Sequence, residues 1–198
     1  MIVTVTLNAA IDRTLTVPNF QRGHRHRASS GLTQAGGKGI NVARALKTLG
    51  VPVVATGLAG GRNGTRIVDE LTGEAILNDF VRIEGESRTS TAVVDPADGT
   101  YTEINEWGPA VRPEELDFLL EKLRYLTQGA KSVVFAGSLP RDVANDFYGE
   151  AIRDLARRHI PAAALLCAAG GRAGRDLPRG PRPCVRRGGI SCDARRPG

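Results

Sequence analysis

The sequence has no long apolar run, since no stretch of about 18 or more consecutive apolar residues occurs in its 198 residues. No membrane-spanning helix is therefore predicted. The N-terminal residues also lack the charged start and cleavage site of a secretory signal peptide, because a strand-like segment begins at Ile2. We therefore expect a cytoplasmic protein without a membrane partner.

Cysteines and aromatic residues are scarce, and their placement divides the sequence in two. The three cysteines all lie after residue 160, and their spacing matches neither a metal site nor a disulfide framework. Residues 161–198 contain no Phe, Tyr, Trp or Lys but eight Arg, and they account for the whole net charge of +6. Residues 1–160 carry 19 basic and 19 acidic residues. Two different kinds of sequence therefore meet near Pro161. The cysteines are Cys167, Cys184 and Cys192.

The Arg-, Gly- and Pro-rich segment 161–198 is predicted to be disordered, because it cannot bury enough apolar surface to offset the entropy of ordering. Its composition is also typical of a GC-rich gene translated out of frame, so a frameshift near codon 162 is one hypothesis. RNA binding through the Arg/Gly tail around Arg186–Gly189 is the alternative. No aromatic residue is present there to stack on bases, so nucleic acid is not the favoured partner.

Two common phosphate-binding motifs are missing around the Gly-rich stretch Gln34–Leu46. A Walker A loop would need Gly in place of Leu32 and Ser or Thr in place of Gly39. A dinucleotide-binding fingerprint would need Gly or Ala in place of Val42. Neither generic nucleotide site is predicted here.

The same stretch nevertheless has the features of a ligand-binding helix start. Three glycines lie at or before the start of an amphipathic helix predicted over Ile40–Leu49, and they let backbone N–H groups approach a polar ligand closely. Lys38 and Asn41 add a positive charge and an amide. A small polyhydroxylated or phosphorylated ligand would suit this site, whereas a tight loop that only permits close packing is the alternative. The glycines are Gly36, Gly37 and Gly39, and the predicted apolar face of the helix consists of Val42, Leu46 and Leu49.

Strands and helices alternate over residues 1–160, which predicts an α/β domain with a mainly parallel sheet. Asp12 is expected just past a first strand at Ile2–Leu7, where ligand groups of α/β sheets cluster; a turn or capping role is the alternative. More polar strands at about 14–33 and 91–105 predict a small second sheet that forms a lid. Further strands are predicted over 52–57, 81–83 and 132–136, and helices over 65–71, 113–128 and 145–158.

Six segments occur in the order typical of one enzyme family. They are TLNAAID at 6–12, AGGKGINVARAL at 35–46, ATGLAGG at 55–61, SRTS at 87–90, INEWGP at 104–109 and AGSLPRDV at 136–143. Together they resemble the ribokinase-like PfkB carbohydrate kinases, in particular the branch of 1-phosphofructokinases and tagatose-6-phosphate kinases. Three residues depart from the family pattern: Ala9 replaces Pro, Ser90 replaces Asn and Ala136 replaces Ser.

The resemblance implies a three-layer α/β core, a small β-lid that also forms a homodimer contact, and a phosphorylated ketose bound between core and lid. It implies that a carboxylate binds sugar hydroxyls, a Gly-rich corner helps to fix the acceptor, and an arginine contacts the phosphate already on the sugar. Without the other segments, that arginine would be interpreted as a solvated surface residue. The implied ligands are Asp12 and the corner Gly36, Gly37, Lys38 and Asn41 for hydroxyls, with Arg88 and Ser138 for the phosphate.

The resemblance further implies ATP- and Mg²⁺-dependent phosphorylation of a sugar phosphate, with fructose 1-phosphate converted to fructose 1,6-bisphosphate. The same ligands would also serve tagatose 6-phosphate or fructose 6-phosphate. Family kinases carry a Gly-Ala-Gly-Asp segment that supplies an anion hole and the catalytic base, and this segment is absent from the sequence. We therefore expect a C-terminally truncated, inactive domain without a nucleotide site or catalytic base. A non-catalytic sugar-phosphate-binding or dimerising fragment is the alternative.

Overall fold

Nine strands form two separate sheets in the computed structural model, which describes residues 1–165. The larger sheet is parallel and contains β1 (Ile2–Thr6), β4 (Val53–Gly60), β5 (Leu77–Ile83), β8 (Ser132–Ala136) and β9 (Ala162–Leu165), in the order β5-β4-β1-β8-β9. The smaller sheet contains β2 (Ala10–Thr16), β3 (Ser30–Gly36), β6 (Arg88–Asp95) and β7 (Thr100–Asn105), in the order β3-β2-β6-β7. The helices are α1 (Lys38–Thr48), α2 (Gly61–Gly73), α3 (Pro113–Leu126) and α4 (Phe147–Arg157).

The central strands of the larger sheet are buried because helices cover both of its faces. All eight residues of β4 are buried, as expected for a parallel strand packed on two sides. One face packs against α1 and α2 through Ile40 and Ile67, and the other packs against α3 and α4 through Leu119 and Leu155. The predicted three-layer α/β core with a mainly parallel sheet is therefore confirmed.

The leucine spacing of α3 correctly predicts its core-facing side. Leu119 and Leu123 are buried, and three further leucines of the helix are partly buried against the same cluster. Pro113 begins the helix, and the Glu115 carboxylate accepts a hydrogen bond from the backbone N–H of Arg112 at 2.8 Å. The three partly buried residues are Leu116, Leu120 and Leu126.

The prediction for α1 is wrong in its start and partly right in its buried face. The helix begins at Lys38 rather than Ile40, and its buried residues include Ile40 and Ala43. Leu46 of the predicted face packs against the same core cluster, whereas Leu49 lies at the C-terminal cap, past the last helical residue, and is 75% exposed. Contact with β1 and β4 determines which side of the helix is buried, and Leu49 lies beyond that contact.

The smaller sheet is wetter than the larger one. All six residues of its edge strand β7 are exposed, whereas β6 is half-buried in the interior of the sheet. Strand β2 pairs antiparallel with β3 and parallel with β6, so the sheet combines two separate parts of the chain. The two strands extend beyond the predicted 14–33 segment at both ends, since β2 starts four residues earlier, at Ala10, and β3 ends three residues later, at Gly36.

The predictions for segment 161–198 fall almost entirely outside the described residues. Residues 161–165 are the described part of it, and Ala162–Leu165 form β9, which pairs in parallel with β8, so the disorder predicted from residue 161 onward does not hold for these residues. None of the helices in the described part of the chain is long and apolar enough to cross a membrane.

Candidate functional site

Asp12 lies in the smaller sheet rather than past the end of β1, so its predicted position is corrected. Strand β1 ends at Thr6, and after a short turn the chain becomes extended again at Ala10. Within β2, Asp12 is opposite Gln34 of β3 and Ser90 of β6. Because directly opposed residues share one face of a sheet, these three polar side chains form a row across it.

The Asp12 carboxylate lies directly over Gly36. A Cβ atom at Gly36 would be 2.1 Å from the Asp12 Cγ atom, well inside van der Waals contact. Only glycine leaves room for the carboxylate at this point. The first glycine of the predicted corner therefore belongs to β3 and places the backbone against Asp12.

Gly37 makes the connection between β3 and α1. Its φ of 124° lies in a region that favours glycine, and a Cβ there would be 2.7 Å from Thr6 Cγ2. As the N-cap residue, Gly37 has no side chain to bond the free N–H groups of α1, and no acidic residue lies in the first turn. The positive end of the helix dipole and Lys38 therefore make this corner electropositive.

Asn41 lies in the first turn of α1 and is exposed. Its side-chain oxygen accepts a hydrogen bond of 3.2 Å from Nη1 of Arg44. Arginine has no acceptor atom, so the amide nitrogen of Asn41 points away from Arg44.

Arg88 begins β6 opposite Ala10, two residues before the Asp12–Ser90 pair, and it therefore lies on the same face as Asp12. Its Nη1 atom is 3.1 Å from Asn105 Oδ1, within hydrogen-bond distance. The Nε atom is buried and has no hydrogen-bond partner among residues 1–165. An arginine with an uncommitted buried donor suits an anionic ligand.

Ser138 follows β8 and is linked to the start of the smaller sheet. Its hydroxyl accepts a hydrogen bond of 3.1 Å from the Asn8 side chain. Nearby in the chain, the guanidinium of Arg141 lies 4.7 Å from the ring centre of Trp107, close enough for a cation–π contact. Asn8, Trp107 and Arg141 were not singled out as candidate residues from the sequence.

Charged groups around Asp12 pull its pKa in opposite directions. Burial raises the pKa of the Asp12 carboxyl above its ordinary value, and Glu103 raises it further. Arg88, Arg44 and Lys38 each lower it but do not cancel the effect of burial. The carboxylate therefore lies close enough to Lys38 and Arg88, the two predicted cationic ligands, for their charges to act on it.

The smaller sheet contributes a second acid that sequence reasoning missed. Glu103 of β7 accepts a hydrogen bond of 3.3 Å from the hydroxyl of Ser90, the residue that departs from the family pattern. The alternation of β7 could have revealed it, since Glu103 and Asn105 are two residues apart and share a face. The structure thus brings Asp12, the Gly36–Asn41 corner and Arg88 to one region; their roles as ligands remain predictions.

Comparison with protein families identifies the class to which the chain belongs. A model of the pfkB family of carbohydrate kinases matches residues 2–168, and the chain belongs to this family. The family predicted from the six ordered segments is therefore confirmed.

The chain is also similar to individual proteins that are described as phosphofructokinases. The chain is 36% identical over 158 residues to a 1-phosphofructokinase of Rhodobacter capsulatus. The aligned region covers 79% of this chain and 50% of that protein. It is also similar to the crystal structure of a possible 1-phosphofructokinase of Thermotoga maritima, with a TM-score of 0.79 and 36% identity over 84% of this chain and 53% of that one. Phosphofructokinase-2 of Escherichia coli, solved with fructose-6-phosphate, gives a TM-score of 0.79 at 28% identity over 84% of this chain and 55% of that one. The chain spans about half the length of these relatives.

Proposed function

We propose that this chain forms the acceptor half of an ATP-dependent sugar-phosphate kinase and binds fructose 1-phosphate, the substrate that such an enzyme converts to fructose 1,6-bisphosphate. The observation that carries the proposal is the approach of the Asp12 carboxylate to Gly36, beside the uncapped start of α1. Asp12 would accept hydrogen bonds from sugar hydroxyls, and Arg88 and Ser138 would bind the phosphate.

The charge distribution supports a ligand with two chemically different ends. Asp12 and Glu103 make one part of the sheet face acidic, which suits hydroxyl donors. Arg88, Lys38 and the start of α1 supply positive charge, which suits a phosphate dianion. The relatives agree with this chemical class, since one is described as a 1-phosphofructokinase, one as a possible 1-phosphofructokinase, and a third was solved in complex with fructose-6-phosphate.

ATP and Mg²⁺ are the co-substrate and metal that the family implies. The Gly-Ala-Gly-Asp segment that the resemblance implies for the anion hole and the catalytic base is absent from the 198 residues. We therefore propose that the 198-residue chain by itself supplies neither the nucleotide site nor the catalytic base.

Binding should be measured by calorimetry with fructose 1-phosphate and the whole chain, without ATP. Asp12→Asn is expected to weaken binding at least about tenfold, since it removes a charged acceptor. Asp69→Asn, on the exposed side of α2, is the control and should bind like the unmodified chain. Absence of binding by the unmodified chain would overturn the proposal.

A coupled assay with ATP and Mg²⁺ tests the activity of the chain alone. We expect negligible phosphorylation of fructose 1-phosphate. Measurable turnover by the purified 198-residue chain would show that the donor site is present after all. Fructose 6-phosphate and tagatose 6-phosphate should be titrated in parallel, because the same hydroxyl and phosphate ligands could bind them.

A dimerising role is the second candidate, and exposed apolar side chains on the smaller sheet favour it. Leu32 of β3 is 59% exposed and Tyr101 of β7 is 62% exposed. The strand register places both on the face that carries Asp12. Paired lids would cover them, and sedimentation of the chain with and without Leu32→Glu tests this: a dimer should become a monomer.

A further inference from the structure

Arg44 of α1 is a partly buried arginine that does not belong to the proposed set of ligands. Its Nε and Nη2 atoms bind both carboxylate oxygens of Glu74 at 2.8 and 2.7 Å. Its Nη1 atom donates to the carbonyl of Ala35 at 2.6 Å and to Asn41 Oδ1 at 3.2 Å. All three nitrogens of the guanidinium group are engaged, so Arg44 acts as a clamp inside the protein.

Glu74 balances the positive charge of the Arg44 guanidinium group and occupies two of its nitrogen atoms. The hydrogen bond with Glu74 raises the pKa of Arg44 above its ordinary value, and the same bond lowers the pKa of Glu74. A bidentate pair of this kind has a defined geometry as well as a favourable energy. Arg44 therefore differs from Arg88, whose buried Nε atom has no hydrogen-bond partner in the described chain.

Ala35 is held from both sides at the outer edge of the smaller sheet. Arg44 binds its carbonyl, and the carboxylate of Glu70 from α2 accepts its N–H. Ala35 directly precedes Gly36, the residue that lies under Asp12. The clamp thus fixes the backbone immediately before the predicted hydroxyl-binding corner.

We propose that Arg44 is a positioning residue of the sugar-phosphate site: it fixes the Asn41 amide with its NH₂ group directed away from Arg44 and holds the Ala35–Gly36 backbone beneath Asp12. The identity of the ligand rests on the proposed function, whereas the contacts of Arg44 do not depend on it. Arg44 follows Asn41 by three residues, which places the two side chains on one face of the helix.

A double-mutant cycle measures the action of Arg44 through Asn41. Arg44→Met should weaken fructose 1-phosphate binding by about tenfold, as expected when a hydrogen-bonded donor loses its orientation. Asn41→Ala should weaken binding similarly, and the loss of affinity in the double variant should be clearly smaller than the product of the two single losses. Fully additive losses would contradict positioning through Asn41.

Arg66→Met is the matched control. Arg66 also pairs with a glutamate, Glu70, and also donates to a backbone carbonyl of β3, that of Thr33. It has no described contact with Asn41, so its replacement should leave the affinity within about twofold. An equal loss of affinity in both variants would indicate general support of β3 and overturn the specific role of Arg44.

A readout without ligand separates this inference from the proposed function. In NMR spectra of the chain without ligand, Arg44→Met should shift the side-chain amide resonances of Asn41, and Arg66→Met should not. Unchanged Asn41 resonances would overturn the positioning role. A shifted resonance in a chain that binds no sugar phosphate would support the positioning role and overturn the proposed function. If Arg44→Met does not fold in a urea titration, Glu74→Gln provides the same test and should shift the resonances less.

Discussion

The starts of α1 and α2 have similar sequences and very different surroundings. Each helix follows a strand that ends at a Gly-Gly pair, Gly36-Gly37 in one case and Gly60-Gly61 in the other. At α2, the carboxylate of Glu86 accepts hydrogen bonds from the backbone N–H groups of Arg62 and Asn63 at 3.1 and 2.6 Å. At α1, no such carboxylate caps the helix within the described chain, and Lys38 is the first helical residue.

This difference shows why a glycine-rich helix start is not by itself a ligand site. Two N–H groups of α2 are already bound by an acid from a distant part of the chain, whereas no carboxylate among residues 1–165 binds the first N–H groups of α1. A local motif cannot distinguish the two cases, because Glu86 lies 25 residues after the start of α2. The comparison can be tested from either helix.

The largest effect is expected from Gly36→Ala. The new methyl group would be 2.1 Å from Asp12 Cγ and must displace the carboxylate or the strand. We expect fructose 1-phosphate affinity to fall about 100-fold, and the free energy of unfolding to fall by about 1–3 kcal/mol. Calorimetry and urea titration measure the two effects. Gly73→Ala is the control, since nothing lies within 4 Å of a Cβ there, and it should preserve the affinity without lowering the free energy of unfolding.

The next largest effect is expected from Glu86→Ala, which opens the start of α2. Loss of the cap should lower the free energy of unfolding by about 1–2 kcal/mol, because two N–H groups lose their acceptor. Sulfate should then stabilise the variant more than the unmodified chain, whereas sugar-phosphate affinity should stay unchanged. Glu121→Ala, on the exposed side of α3, should do neither. A loss of affinity as large as that of Gly36→Ala would remove the distinction between the two helix starts.

A smaller effect concerns the pH dependence of stability at Asp12. Burial raises the pKa of Asp12 in the folded chain above its ordinary value of 3.8, so the protonated carboxyl favours the folded state. The contribution of Asp12 to stability should therefore decrease as pH rises through the folded pKa, and Asp12→Asn should abolish this decrease. The unfolding free energy of the Asp12→Asn chain minus that of the unmodified chain should therefore grow as pH rises through the folded pKa, and the growth should be small because the carboxylate is only partly buried. A difference that shrinks with rising pH would contradict this sign.

The smallest effect is expected from Arg141→Ala. An exposed cation–π contact contributes about 0.5–1 kcal/mol, so stability should change little. Trp107 is the only tryptophan, and its fluorescence should report the loss of the guanidinium directly. Replacement of the neighbouring Asp142 by Asn is the control. An identical emission spectrum in the Arg141 variant would show that the contact is not formed in solution.

Much of the core could be predicted from local patterns. The apolar runs of β1, β4 and β8 and the leucine spacing of α3 identify buried elements, because burial on both faces leaves little choice of residue. The order of six short segments identified the family. These signals depend on neighbouring residues in the chain, which a sequence shows directly.

The site was predicted less completely because its geometry depends on contacts between distant residues. Asp12 was expected at the end of β1, but pairing with Gln34 and Ser90 draws it into a different sheet. The Arg44–Glu74 pair joins residues that are 30 positions apart, and only the helical spacing from Asn41 to Arg44 was visible in advance.

Gly37 alone separates the last residue of β3 from the first residue of α1. No flexible loop joins the two sheets at this point, so a rotation of the smaller sheet would change the backbone torsions around Gly37 and would also turn the first N–H groups of α1. The other connections between the sheets, residues 7–9, 84–87 and 106–112, would have to accommodate the same rotation. The shortest of the four connections therefore couples the tilt of the smaller sheet to the direction of the α1 N–H groups.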